Sequence, residues 1–168
     1  MDAKVAAKER FPKDSIAEDA YRHFSWNHIA ARDIGVDKEE IGTHNHEWGV
    51  LITDPILNFY KNKYYEYLDD GYSERSAADR AYGRAVTEIP IMKSQLITIF
   101  KAKFSTFEGY LEDSFIMDFT NNHYGRDYSS RYADYDTAFT KAKSNLILSE
   151  KSVTRSDYKK VWENRWYY

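Results

Sequence analysis

Three short stretches of the chain concentrate its polar chemistry: DAYRHFSWNH at residues 19–28, THNHEW at 43–48 and MDFTNNHYGRD at 117–127, which between them hold all five histidines. On a helix Asp19, His23 and Asn27 stand at i, i+4 and i+8 and share one face. Asp19 there can take a hydrogen bond from one ring nitrogen of His23, leaving the other to bind a metal, accept a proton or hold a substrate. Arg22 and Trp26 form the neighbouring i,i+4 row, in which a guanidinium can stack on an indole. In the second stretch His46 and Glu47 are adjacent, and His44 and Asn45 read as surface or capping groups. The residues three and four beyond Glu47 are Val50 and Leu51, so the HExxH zinc-peptidase spacing is absent. In the third stretch Asp118, Asn122 and Arg126 again recur every fourth residue, with Asn121 and His123 flanking Asn122. An aspartate holding a carboxamide, with an arginine beyond, suits recognition of a carboxylate, phosphate or polarised carbonyl.

If the three stretches converge, two kinds of site can be drawn. In one, His23, His46, Asp118 and His123, with Glu47 beside them, ligate a divalent metal. Mixed imidazole and carboxylate sets suit zinc, and less specifically iron, nickel or manganese. In the other, His23 is a general base oriented by Asp19, with Glu47 and Asp118 as carboxylates and Asn122 and Arg126 stabilising developing negative charge. Trp26, Asn27, Arg22 and Asn121 support either arrangement. No G-x-S-x-G, Walker or dinucleotide-binding glycine pattern is present, which argues against a serine hydrolase elbow and nucleotide cofactors.

The elements that must position these groups read as helices. Residues 2–10 form a short helix stopped at Phe11-Pro12. Ser15 and Glu18 match a capping box opening a helix to Ile34, with Gly35 as its stop. A turn over 37–41 closed by Gly42, a helix over 44–52, and a new helix begun at Asp54-Pro55 follow. Ser73 caps a helix over 74–88 ahead of Pro90, and 91–104 favours helix despite its β-rich composition. Helices over 111–124, ended by Gly125, which also lets the backbone approach another element closely, and over 131–148 come next. Thr154 and Asp157 make a second capping box for a last helix to Trp166. The expectation is a single all-α domain, an irregular bundle of six to eight helices over 1–168.

Composition bounds the function. The 168 residues carry 24 Lys and Arg against 27 Asp and Glu, a net charge of −3, which argues against a dedicated nucleic-acid binder. The last 28 residues hold seven basic and three acidic groups, a +4 tail on a −7 remainder. With no cysteine, disulfides, thiolate zinc sites and cysteine nucleophiles are excluded. No apolar run approaches a membrane span, and no apolar segment follows the first basic residues, so neither a transmembrane helix nor a signal peptide is expected. A cytoplasmic location and export by a non-classical or specialised route both stay open. Fifteen tyrosines, nine phenylalanines and four tryptophans suit half-buried seams, interfaces and glycan-stacking grooves.

The run Asp19, Ala20, Tyr21, Arg22, His23 and Trp26, then His46 and Glu47, then Met117, Asp118, Asn121, Asn122, Gly125 and Arg126 resembles an uncharacterised helical domain. That domain is found at the C-termini of large secreted RHS- or wall-associated bacterial proteins and in small bacterial and phage proteins. The resemblance covers about 15–130, leaving the long section 54–113 between the blocks and the Tyr-rich basic helical tail 131–168 outside the pattern. It implies a toxin or effector of hydrolytic kind, a context rather than a reaction. The leading expectation is a hydrolase acting on an envelope lipid or glycan, with lipid ester, peptidoglycan amide and glycosidic bonds all open, and with a protein partner such as an immunity protein. His23 is followed by Phe24 where a secreted phospholipase A2 helix has aspartate. The competing classes are a non-catalytic helical binding or inhibitor protein with structural polar clusters, and a metal-dependent nuclease.

Overall fold

A computed structural model describes residues 3–164, with Phe100 described by its backbone. Among these residues there are eight α-helices and no strand: α1 (Ala3–Arg10), α2 (Ser15–Ile34), α3 (Val36–Asp69), α4 (Glu74–Lys101), α5 (Phe104–Glu108), α6 (Asp113–Ser129), α7 (Tyr135–Ala142) and α8 (Arg155–Glu163), with a 3-10 turn at Glu150–Ser152. The all-α class expected from the spacing of apolar residues is the one adopted.

Several boundaries differ from those expected, each for a local reason. Asp14 rather than Ser15 caps α2, accepting a bond from the Ala17 amide at 3.0 Å, so Ser15 becomes the first helical residue. Helix α3 runs through Gly42, Gly49 and Pro55, fusing three expected pieces into 34 residues. Likewise α4 runs through Pro90. A proline deletes one backbone hydrogen bond, and the turns on either side keep theirs, so the same local signature marks either a helix start or an interior defect. Helix α6 continues past Gly125 to Ser129, whereas α7 is shorter than the expected 131–148. The Thr154–Asp157 capping box forms as expected, and Trp166 lies outside the described residues.

The chain divides into two compact units, one of residues 3–47 and 103–164, the other of residues 48–102. The core of the first unit gathers Ala6, Ala7, Tyr21, Phe24, Ala138, Phe139 and Ala142, all buried. Tyrosines 124, 128, 132 and 135 pack around it half-buried, the seam role that their amphipathic rings suit. The Tyr21 and Phe139 rings meet edge to face at 4.7 Å, and Phe24 meets Phe139 at 5.5 Å. Helix α2 makes its most extensive contact with α6, and Gly125 sets how close that contact is. A Cβ built there would lie 2.3 Å from the Phe24 carbonyl oxygen and 3.2 Å from Asn27 Cβ. Gly125 is therefore needed for close backbone approach rather than as a helix stop.

In the second unit the latter part of α3 and α4 flank the turn at Gly71, whose φ of 86° favours glycine. Ala77, Ala81 and Ala85 form a buried stripe of α4. Tyr60 stacks on Tyr64, and the Arg80 guanidinium lies 4.3 Å over the Tyr72 ring. Among the described residues no helix is long and apolar enough to cross a membrane.

Candidate functional site

Three helices of the first unit each bring a polar stripe with the same four-residue step to one place: Asp19, His23 and Asn27 on α2, Glu39, Thr43 and Glu47 on α3, and Asp118 and Asn122 on α6. The hydrogen bonds among them fix one another's orientation. The Asn27 Nδ2 group donates to the His23 backbone carbonyl at 2.7 Å, an unambiguous acceptor, and to Asn122 Oδ1 at 2.6 Å. Asn122 must then present its oxygen on that side, and its Nδ2 donates to Glu47 Oε1 at 2.8 Å. The same Asn122 oxygen lies 3.0 Å from His23 Nδ1, so Nδ1 carries the proton. Glu47 Oε1, 3.4 Å from Nδ1, adds a carboxylate behind the ring. On the far side of Asn27, Thr43 donates to Asn27 Oδ1 at 2.6 Å and also meets Glu39.

The ring therefore turns its Nε2 edge the other way. There Asp118 Oδ1 lies at 3.5 Å and Asp19 Oδ2 at 3.8 Å. The Asp118 oxygen is buried with no hydrogen-bond partner, a costly condition for a carboxylate. Burial pushes the Asp118 carboxyl up to about 7, with Glu47 and Asp19 adding to the shift and His23 and Arg22 opposing it. Burial disfavours the charged form of His23. Its bond to Glu47 and the charges of Asp118, Glu47 and Asp19 outweigh that and hold the imidazole above its usual range. This edge of the cluster is the one that reaches solvent: the Asp19 and Asp118 side chains are 33% and 16% exposed, against 6% for His23 and 3% for Glu47.

One ligand atom each from Asp19, His23 and Asp118 can be chosen so that all lie within 4.8 Å of one another. Tetrahedral zinc with bonds of about 2.05 Å separates its ligands by roughly 3.3–3.4 Å, so the observed 3.5 and 3.8 Å need little closure. The ring nitrogen opposite is held by a carboxamide and a carboxylate, the outer support that metal-ligating histidines use. The donor set therefore fits a divalent cation.

The remaining expected residues lie elsewhere. His46 is exposed and meets Trp26 edge to face at 5.4 Å, on the wall of a cavity of about 370 Å³ that Ala30, Ile34 and Gly42 also line. It does not join the His23 group, because adjacent helical residues point about 100° apart and Glu47 takes the inward direction. His123 borders a different cavity, of about 210 Å³, with His44, Arg126 and Lys160, and is likewise separate from the triad. Asn121 binds backbone instead, donating to the Ile147 carbonyl at 2.8 Å and accepting from its amide at 3.0 Å. Arg126 is buried against Glu39 at 3.3 Å and Glu40 at 3.5 Å. Asn122, bonded on both sides, orients His23 rather than standing ready for a developing charge. Arg22 turns to Asp19 and does not stack on Trp26.

Sequence reasoning missed Glu39 and Thr43. Their i, i+4 and i+8 spacing with Glu47 matches the two stripes it found, and taking Gly42 as a helix stop concealed it. No protein-family model matches the chain, and neither a curated protein nor a solved structure matches it.

Proposed function

We propose that the chain is a small hydrolase working through a divalent cation held by Asp19, His23 and Asp118. One observation carries this reading: His23 is clamped through Nδ1 by Asn122 and Glu47 while Nε2 faces two carboxylates, one with an oxygen buried and unpartnered. A cation bound there would supply Lewis-acid polarisation and activation of water near neutral pH. Three protein ligands would leave a fourth position open, as catalytic zinc sites do. Glu47 and Asn122 hold the ring orientation and tautomer, and the exposed Asp19 edge is where substrate would approach. An envelope lipid or glycan is the substrate class proposed, in keeping with the toxin or effector context of the sequence resemblance.

The test is zinc stoichiometry by elemental analysis on purified wild-type protein and on folded His23→Ala, Asp118→Ala and His46→Ala variants. The expected result is near-stoichiometric zinc lost in the first two variants and kept in the third. Metal-loaded protein is then assayed on phospholipid vesicles and on purified peptidoglycan. No zinc binding, or binding indifferent to His23 and Asp118, overturns the reading.

The enclosure of Glu47, Asn122 and Asn27, each at most 3% exposed, favours a second reading in which the cluster only ties α2, α3 and α6 together in a binding protein. Under it, zinc is not retained and neither substrate is hydrolysed.

A further inference from the structure

We infer that Arg22 is a built-in competitor for the cation site: its guanidinium holds the Asp19–His23 edge, and a divalent ion enters by displacing it. This rests on the metal reading above.

Arg22 binds Asp19 Oδ1 through both Nε, at 3.1 Å, and Nη2. The same Nη2 stands 3.3 Å from His23 Nε2. A guanidinium has donors and no acceptor and does not lose its charge, so in the neutral ring Nη2 donates a hydrogen bond to the Nε2 lone pair. That agrees with the tautomer derived independently from the His23 carbonyl through Asn27 and Asn122. Arg22 thus touches two of the three residues that would ligate a metal, and its Nη2 stands at the Nε2 edge that the metal needs.

A positive guanidinium and a divalent ion cannot share that lone pair, and arginine cannot leave by deprotonating. It has room to leave by rotation, because its side chain is 40% exposed. Arg22 is also an incomplete stand-in, since Asp118 Oδ1 receives no hydrogen bond. A divalent ion reaches all three ligands, so ions with high affinity for nitrogen should displace Arg22 and hard ions such as magnesium should not.

The experiment is calorimetric titration of zinc into wild-type, Arg22→Gln and Arg22→Lys proteins. Arg22→Gln should bind zinc at least tenfold more tightly than wild type, and Arg22→Lys, which keeps the charge, should stay closer to wild type. Equal or weaker binding by Arg22→Gln overturns the inference. On wild-type protein itself, the NMR resonance of the Arg22 Nε–H group should shift, and exchange faster with water, as zinc is added. A resonance that zinc leaves unchanged overturns the inference even if the variants fail to fold. Zinc binding by wild type with Arg22 unmoved removes the inference and leaves the metal reading standing. Absence of zinc binding in wild type and Arg22→Gln alike removes both.

Discussion

Gly125→Ala should strongly destabilise the first unit. The added Cβ would lie 2.3 Å from the Phe24 carbonyl oxygen and 3.1 Å from its carbon. Ordinary carbon–oxygen contact is roughly 1 Å longer than the first distance, and the obstruction is backbone, which cannot rotate aside. Relief requires α2 and α6 to separate, and overpacking of this kind costs about 1–3 kcal/mol. The separation also stretches the Asn27–Asn122 and His23–Asn122 bonds, each worth about 1 kcal/mol. Alanine returns about 1 kcal/mol of helix propensity, so the net loss should be about 2–4 kcal/mol. For a chain of this size that is roughly 5–15 °C in Tm. Gly42→Ala is the matched control, because a Cβ there meets nothing within 4 Å and should stabilise α3 by about 0.5–1 kcal/mol. Thermal unfolding followed by circular dichroism measures both. A Gly125→Ala protein as stable as wild type would refute the argument that this glycine sets the α2–α6 approach.

Zinc affinity should weaken at least tenfold between pH 8 and pH 6, because Asp118, with its carboxyl pushed up to about 7, and His23, held above its usual range, must both give up protons to ligate. A titration at the two pH values checks it, and a flat profile counts against Asp118 and His23 as ligands. The same shift has a stability consequence in metal-free protein. An acid raised in the folded state from 3.8 to about 7 binds its proton more tightly folded than unfolded, so stability should fall as pH rises across that window. Asp118→Asn should accordingly be more stable than wild type at pH 8 in denaturant titration, by about 1–3 kcal/mol. Asn121→Ala should cost about 1–3 kcal/mol by leaving the Ile147 amide and carbonyl unpaired, while zinc affinity stays within twofold of wild type.

The ion pairs of buried Arg126 with buried Glu39 and half-exposed Glu40 show how a residue read as substrate-facing becomes a brace. Burial raises the Glu39 carboxyl above the usual range, and Arg126 opposes that rise. A guanidinium held between two glutamates, at 3.3 and 3.5 Å, has its charge matched within the protein. Its i,i+4 relation to Asn122 was legible in the sequence; the presence of Glu39 and Glu40 opposite was not, since they lie almost ninety positions earlier.

The sequence by itself determined that the chain is helical, through the 3.6-residue recurrence of its apolar positions. It also placed Asp19, His23 and Asn27 on one face, and Asp118 with Asn122 on another, because intrahelical spacing is a property of local geometry. Tertiary structure decided which nitrogen of His23 looks outward, since that depends on a chain of bonds from α2 to α6 to α3. It decided that His46 and His123 stand outside the triad, and that Asn121 serves the backbone at Ile147. It decided, too, that Gly42, Pro55, Pro90 and Gly125 continue helices. A glycine or proline specifies only the local cost of a helical turn, and packing between elements settles whether that cost is met.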